Sequence, residues 1–219
     1  MFETVIFDWD GTLADTRATI LFSFHKALNG ISADVSDEMI ERRIGIGAAE
    51  TFRELLRSQG RTYNKLLIQD LVKKKIATEI ELSNQIKLFP GALDLLESLE
   101  GKLKLGLASM NNRAVIDRLL ETTRTERFFV ATVTADEISK PKPDPEVFIK
   151  TAQKLHILPQ HCVVIEDSIF GVKAAKAASM TCVAVAQGAY SKKELAKAEP
   201  GLVVSSLLEK DVITRFILK

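Results

Sequence analysis

Short runs of apolar residues, rich in β-branched side chains, recur along the chain and are separated by longer segments with helical periodicity. Each run has the length of one strand, and none alternates strictly between apolar and polar positions, which is typical of parallel strands covered on both faces. The pattern therefore predicts a parallel sheet whose strands are joined by helices in right-handed crossovers. The predicted strands are residues 4–7, 103–108, 128–133, 162–165 and 182–186.

One long segment after the first predicted strand breaks this alternation, because it contains no convincing strand. Its periodicity instead predicts four helices, at residues 17–29, 37–43, 48–59 and 64–82. We expect an α/β core formed by residues 1–15 and 87–219, with a helical cap domain of residues 16–86 inserted into it. A bundle inserted at this point is expected to cover the carboxyl end of the first strand.

Composition excludes several classes of function. The 219 residues carry 30 basic and 29 acidic side chains, for a net charge of +1, and both signs are scattered along the chain. A nucleic-acid-binding protein is expected to show a basic excess or stripe. No apolar stretch reaches the length of a membrane helix, and the first residues lack the features of a signal peptide. We expect a cytoplasmic protein that binds neither nucleic acid nor membrane.

Acidic side chains follow two of the predicted strands. Asp8 and Asp10 come after the first strand, and Glu166 and Asp167 after the fourth, whereas Lys140 is the only obvious cation near them. Parallel sheets bind ligands at the carboxyl ends of their strands, so these groups are expected to meet. Two like charges 4 Å apart cost about 4 kcal/mol at an effective dielectric of 20. Either some carboxylates are protonated or a divalent cation lies among them, and all-oxygen ligands suit Mg²⁺.

The same strand ends carry groups suited to phosphate chemistry. Asp8 and Asp10 lie two residues apart, so one carboxylate can attack an electrophile while the other handles the proton of the leaving group. Ser109 and Lys140, together with free amides at the start of the helix from Asn111, can hold an oxyanion such as phosphate. The sequence therefore predicts a site for phosphoryl transfer.

The segment of residues 5–16, VIFDWDGTLADT, resembles the first motif of the haloacid dehalogenase (HAD) superfamily of phosphatases. Three further segments resemble the later motifs of that family in the family's order, at residues 107–109, 140–144 and 164–168. The resemblance implies a Rossmann-like parallel sheet. It also implies the first type of helical cap, as in phosphoglycolate-phosphatase-like and β-phosphoglucomutase-like members.

This resemblance also implies roles for individual residues. Asp8 would be the nucleophile that becomes an aspartyl phosphate, Asp10 the general acid and base, and Thr12 the residue that orients Asp10. Ser109 and Lys140 would steady the transferring phosphoryl group. The family's motif has lysine-proline, one variable residue and proline-aspartate, which selects Lys140 over its neighbour at position 142.

The metal ligands follow from the same resemblance. Mg²⁺ would be held by Asp8, the backbone carbonyl of Asp10 and Asp167, with Glu166 acting directly or through water.

The three-lysine run at residues 73–75 is interpreted as a solvated helix face.

The activity that these observations favour is Mg²⁺-dependent hydrolysis of a small phosphomonoester. A sugar phosphomutase of the β-phosphoglucomutase type is the alternative, although Ile20 lies near the position where mutases carry a histidine, and the turn from Gly45 to Ala49 lacks their arginine. A receiver-like phospho-accepting regulator is a third possibility. Arg43, Gly45 and Gly47 are the candidate substrate contacts in the cap. The sequence leaves open which phosphorylated metabolite is bound, and whether the protein is a monomer or a homodimer.

Overall fold

The computed structural model describes residues 1–31 and 33–219. Its centre is a six-stranded parallel sheet with the strand order β5-β4-β1-β6-β7-β8. The predicted parallel α/β core is therefore confirmed. A separate pair of short antiparallel strands, β2 and β3, joins the sheet to the helices that follow β1. The strands are β1 Thr4–Phe7, β2 Ala14–Asp15, β3 Lys87–Leu88, β4 Lys104–Ala108, β5 Ala131–Val133, β6 Cys162–Glu166, β7 Thr181–Val185 and β8 Leu202–Val204.

Helices cover the sheet and fill the segment between β2 and β3. The first four belong to that segment, which is called the helical insert below (residues 16–86), and the other six follow β3. The helices are α1 Arg17–Leu28, α2 Asp37–Glu41, α3 Ala48–Ser58, α4 Lys65–Leu82, α5 Ala92–Leu99, α6 Arg113–Thr123, α7 Glu146–Leu155, α8 Ile169–Ala177, α9 Lys192–Ala196 and α10 Lys210–Ile217.

The strands of the sheet bury both faces, which explains their continuous apolar sequences. In β1, Val5 and Phe7 pack into a cluster with side chains of α5, α6 and α10, whereas Ile6 packs on the opposite face with side chains of α7 and α8. Two details differ from the sequence expectation. Residues 126–128 form a short 3₁₀ turn, so β5 begins only at Ala131, and the strands β2, β3 and β8 were not predicted.

The helical insert has a hydrophobic cluster of its own. Phe24 of α1 contacts Phe52 of α3 with ring centroids 4.6 Å apart, and Leu71 of α4 belongs to the same cluster. Among the described residues, none of the helices combines the length and apolar character needed to span a bilayer.

The register of the central strands determines where the polar side chains meet. Phe7 at the end of β1 lies opposite Leu107 of β4 and Ile165 of β6. The residues that follow these positions therefore emerge at one edge of the sheet. At this edge the strand order changes direction, because β4 and β5 lie on one side of β1 and β6, β7 and β8 lie on the other.

Candidate active site

The carboxylate of Asp8 lies at the centre of the polar edge. Its backbone amide donates to the carbonyl oxygen of Ile165 at 3.0 Å, which ties the first residue after β1 to β6. Its side chain is buried, and Oδ1 lies 2.7 Å from Nζ of Lys142. The same Nζ lies 2.7 Å from Oε1 of Glu166. One lysine thus joins two carboxylates from different strands.

The expectation that Lys140 faces Asp8 is wrong. The side chain of Lys140 is 74% exposed, and its only ion-pair partner among the described residues is Asp144, at 3.9 Å. The side chain of Lys142 is fully buried. The physical reason is the anchoring of the loop, because the carboxylate of Glu146 accepts the backbone amides of Ser139 and Lys140 and holds that part of the loop at the surface. Lys142, two residues further along the chain, is the lysine that is buried against Asp8.

Burial and charge oppose each other in this cluster. Burial raises the pKa of Asp8 to about 8, Lys142 opposes that rise, and Glu166 and Asp10 add to it. Although burial disfavours the charge of Lys142, the carboxylates of Asp8 and Glu166 raise its pKa. Burial, together with Glu166 and Asp8, also raises the pKa of Asp167 well above its usual range. The pKa values of Asp8 and Asp167 are raised mainly by burial, and the single ammonium of Lys142 opposes that rise only in part.

Asp167 is held by residues from two other segments. Its Oδ1 accepts a hydrogen bond from the hydroxyl of Thr12 at 3.0 Å. Thr12 therefore supports Asp167, and the expectation that it orients Asp10 is not met by this geometry. The other oxygen, Oδ2, lies so close to the backbone of Gly11 and Gly188 that a Cβ at either position would overlap it. The two glycines form a cradle around this carboxylate oxygen.

The donor set around Asp8 fits a magnesium ion, although it is sparse. Within residues 1–31 and 33–219, no group of three or more His, Cys, Asp or Glu side chains has the arrangement of a metal site. Glu166 contributes little to such a set, because Oε1 pairs with Lys142 and Oε2 accepts the backbone amide of Ser168 at 2.7 Å. Mg²⁺ commonly uses one or two carboxylates and fills the remaining positions with water and phosphate oxygens. Asp167 has no ion-pair partner among the described residues, and its carboxylate in the glycine cradle, together with Asp8, suits that ion.

The loop after β4 brings a hydroxyl and an amide to the same edge. Ser109 is fully buried, and its Oγ accepts the backbone amide of Asn111 at 3.0 Å. The side-chain amide of Asn111 lies 3.4 Å from Oδ2 of Asp10. Burial raises the pKa of Asp10, and the charge of Lys75 opposes that rise. Oδ1 of Asp10 is buried without a hydrogen-bond partner in the described part of the chain.

The helical insert contributes a buried ion pair that the sequence interpretation missed. Nζ of Lys75 on α4 lies 2.7 Å from Oε2 of Glu79 and 3.2 Å from Oδ1 of Asn111. The side chains of Lys75 and Glu79 are only 5% and 1% exposed. The interpretation of residues 73–75 as a solvated face is therefore wrong at position 75. A signal was present, because Lys75 and Glu79 continue the helical spacing of the buried residues Ile68 and Leu71.

Burial also raises the pKa of Glu79, and Lys75 partly offsets that rise. One oxygen of Glu79, Oε1, has no partner among the described residues. Through Asn111, this pair connects the insert to Asp10 of the core.

The three candidate contacts of the insert lie beside Asp10, in a narrow cavity that Lys75 also lines. The guanidinium of Arg43 is occupied by Glu54 at 2.8 Å and the carbonyl oxygen of Met39 at 2.7 Å. The turn that contains Gly45 and Gly47 rests directly on the core. A Cβ would lie 3.1 Å from Oγ of Ser168 at the first position and 3.0 Å from Cε of Met110 at the second.

Several known proteins resemble this chain in sequence, and solved structures resemble it in fold. Residues 5–185 match the sequence model of the haloacid dehalogenase-like hydrolase family. The chain is 31% identical over 185 residues to a phosphorylated carbohydrates phosphatase of Thermotoga maritima, covering 81% of this chain and 82% of that protein. It is also 31% identical over 192 residues to a β-phosphoglucomutase of Bacillus subtilis, covering 85% and 84% respectively. Among solved structures, a hydrolase from Pseudomonas syringae superimposes with a TM-score of 0.91 at 28% identity, covering 98% of this chain and 99% of that one.

Proposed function

The chain belongs to the haloacid dehalogenase-like hydrolase family, and from this premise we propose that it is a Mg²⁺-dependent phosphatase that hydrolyses a small phosphomonoester through an aspartyl phosphate on Asp8. The observation that carries the proposal is the buried cluster of Asp8, Lys142 and Glu166. Asp10 follows Asp8 by two residues, and Asp167 lies near enough to Asp8 for their charges to interact. The phosphatases among its relatives support the same reaction class.

The first half-reaction begins with Asp8. Its carboxylate oxygen forms a bond to phosphorus, and the bond between phosphorus and the leaving oxygen breaks. Lys142, at 2.7 Å from Oδ1, favours the ionised form of the attacking carboxylate and fixes its orientation. Asp10 donates its proton to the leaving oxygen, and burial raises the pKa of its carboxyl, which favours the protonated form that this step needs. The products are a free alcohol and phosphorylated Asp8.

The second half-reaction restores the enzyme. Asp10, now ionised, accepts a proton from a water molecule whose oxygen attacks phosphorus, and the acyl phosphate bond to Asp8 breaks. Ser109 and Lys142 lie where they can steady the phosphoryl oxygens in both steps. A Mg²⁺ ion would be held by Asp8, the backbone carbonyl of Asp10 and Asp167, and it would supply positive charge against the phosphate oxygens.

The direct test is phosphate release from p-nitrophenyl phosphate and from a panel of phosphorylated metabolites, with Mg²⁺ and with EDTA. We expect turnover only with the metal, and a loss of about 10⁴-fold or more in Asp8→Asn, because that variant removes the nucleophile. Asp117→Asn is the control, since Asp117 is an exposed partner of Arg113 on α6. Turnover in EDTA, or an active Asp8→Asn, contradicts the proposal.

A sugar phosphomutase of the β-phosphoglucomutase type is the second candidate, because the chain is 31% identical to the Bacillus subtilis mutase. The product distinguishes the two activities, since a mutase returns an isomeric sugar phosphate and a phosphatase returns free phosphate. A phospho-accepting regulator would retain its phosphate for many minutes, whereas a phosphatase releases it rapidly.

A further inference from the structure

Two neighbouring cavities lie between the insert and the core, a narrow one at Asp10 and a larger cleft next to it. Asp10, Asn111 and Lys75 line a narrow cavity of about 30 Å³. Gly47, Ala48 and Met110 line both this cavity and a cleft of about 250 Å³ next to it. Because the two cavities share these residues, we expect the leaving group of an ester bound at Asp10 to extend toward the cleft, whose volume lies below the range typical of drug-sized ligands.

The wall of the cleft is partly apolar and partly charged. Apolar side chains come from both the insert and the core, among them Ile46, Val72 and Ile138. The charged groups are Glu50 and Arg53 of α3, which form an ion pair at 2.8 Å. The amino-terminal end of α3 also faces the cleft, and Glu50 lies in the first turn, where its carboxylate offsets the partial positive charge of the helix end.

Every cation of the described residues that lines either cavity already has a carboxylate partner. Arg43 pairs with Glu54 at 2.8 Å, Lys75 with Glu79 at 2.7 Å, and Arg53 with Glu50 at 2.8 Å. A second phosphate or a carboxylate on the substrate would meet no uncompensated positive charge there. It would also have to enter beside the carboxylate of Glu50, which carries the same sign of charge.

We propose that the cleft selects phosphomonoesters whose leaving group is small, uncharged and hydroxylated, and that Glu50 and Arg53 determine this specificity. The inference rests on the proposed phosphatase function. The carboxylate of Glu50 can accept hydrogen bonds from hydroxyl groups, and the guanidinium of Arg53 can donate to them. By pairing with Arg53, Glu50 also keeps that guanidinium from binding a second anionic group.

The exposure of the pair suits a role in binding. The side chains of Glu50 and Arg53 are 29% and 41% exposed, and ion pairs of this kind contribute little to folding stability. Their hydrogen bonds can therefore be redirected to a substrate at small cost. The pair of Lys75 and Glu79 is different, because it is buried and has its contacts already fixed.

The test compares two esters that differ at one carbon. Glycerol 3-phosphate has a neutral leaving alcohol, and 3-phosphoglycerate has a carboxylate in place of the terminal hydroxymethyl group. We expect kcat/KM to favour glycerol 3-phosphate by about tenfold or more, the size of an uncompensated polar mismatch in a partly exposed site. Equal rates, or a preference for 3-phosphoglycerate, overturn the inference.

Variants of the pair sharpen the test. Glu50→Gln frees Arg53 and removes the repulsion, so it should reduce the preference by about fivefold, the upper size of an exposed charge interaction. Arg53→Gln leaves Glu50 alone and should increase the preference. Asp70→Asn is the matched control, because it frees Lys74 in another exposed ion pair of the insert that lines none of this space. An unchanged ratio in both Glu50→Gln and Arg53→Gln overturns the assignment of the pair.

The panel separates this inference from the proposed function. If p-nitrophenyl phosphate and both glycerol esters release no phosphate with Mg²⁺, the proposed function fails and the specificity inference fails with it. If p-nitrophenyl phosphate is hydrolysed but the two glycerol esters are not discriminated, only the specificity inference is contradicted.

Discussion

The two sides of the site are built from the same kinds of charged groups but hold them differently. On the core side, Asp8, Lys142 and Glu166 are buried and joined by contacts of 2.7 Å. On the insert side, Glu50 and Arg53 are joined at 2.8 Å but remain partly exposed. Removing one partner of a buried pair leaves an uncompensated charge, whereas an exposed pair exchanges its partners with water or ligand readily. The core is thus suited to fixed chemistry, and the exposed wall of the cleft to selection among substrates.

The largest effect that this comparison predicts is at Lys142. Lys142→Met leaves Asp8 and Glu166 buried without a cation, so we expect the free energy of unfolding in EDTA at pH 8 to fall by about 3–5 kcal/mol, with turnover lost. Urea unfolding and phosphate release measure the two effects. Lys140→Met is the control and should change neither, because its side chain is exposed. A stable, active Lys142→Met would show that the core charges are not fixed by this contact.

A smaller loss is expected at Lys75, the one buried cation described on the insert side. Lys75→Met should lower the free energy of unfolding by about 1–3 kcal/mol, because Glu79 loses its partner but can become protonated. It should also lower kcat more than it changes KM, since Asn111 loses one of the contacts that hold it against Asp10. Lys74→Met, on the exposed face of α4, should leave both properties unchanged. An effect on KM alone would place Lys75 with the selective groups instead.

The glycine cradle around Asp167 predicts a variant in which the Mg²⁺ requirement of the activity changes. Gly188→Ala puts a Cβ against Oδ2 of Asp167, so the Mg²⁺ concentration at half-maximal activity should rise about tenfold or more, as for changes next to a ligand. In Gly106→Ala, the added Cβ meets Thr151 and Leu155 inside the sheet packing. That control should lose stability while its half-maximal Mg²⁺ concentration stays the same. Equal metal dependence in the two variants would remove Asp167 from the proposed ligand set.

The smallest effect concerns the contact that joins the insert to the core. Arg42 pairs with Glu194 at 2.8 Å and lies over the ring of Tyr190, whose hydroxyl donates to the carbonyl oxygen of Arg42. The amide and hydroxyl of Ser191, followed by Arg42, lower the pKa of Glu194 to about 2. Because the pKa in the folded protein lies below the unfolded value, the stabilisation is complete above about pH 4.5 and is lost as the pH falls toward 2.

This contact is tested by unfolding in urea over that pH range. Glu194→Gln should flatten the acid dependence of stability and increase amide exchange in α2. Glu199→Gln is the comparison variant, because Glu199 pairs with Lys176 away from the insert and also has a lowered pKa. It should flatten the acid dependence without changing exchange in α2. The same exchange in α2 for both variants would contradict a joining role for Glu194.

Sequence patterns predicted the core better than the insert for a physical reason. Strands covered on both faces leave continuous apolar runs, and the polar residues after them must emerge at one edge, so the positions of Asp8 and Asp167 followed from the pattern. The choice between Lys140 and Lys142 did not. Both lysines precede a proline in the same loop, and their depth depends on where the carboxylate of Glu146 anchors the backbone.

The insert was predicted as helices, but the roles of its side chains were not. Charged residues on a helix are usually solvated, and that rule failed for Lys75 because α4 faces both the insert and the core. The partner of Thr12 was also missed, since a hydroxyl in a turn can reach several acceptors and only the fold selects Asp167. Local patterns identify which elements form, whereas these contacts depend on how separate elements pack.

The antiparallel pair of β2 and β3 has a consequence for how such a protein can be altered. Ala14 lies opposite Leu88, and the amide of Phe89 donates to the carbonyl of Leu13 at 2.9 Å, so the chain leaves and re-enters the sheet side by side. Segments whose two ends are adjacent can be exchanged without stretching the scaffold. We therefore expect that residues 16–86 can be exchanged as one segment with a change of substrate preference, provided that the new segment restores the contact of Lys75 with Asn111.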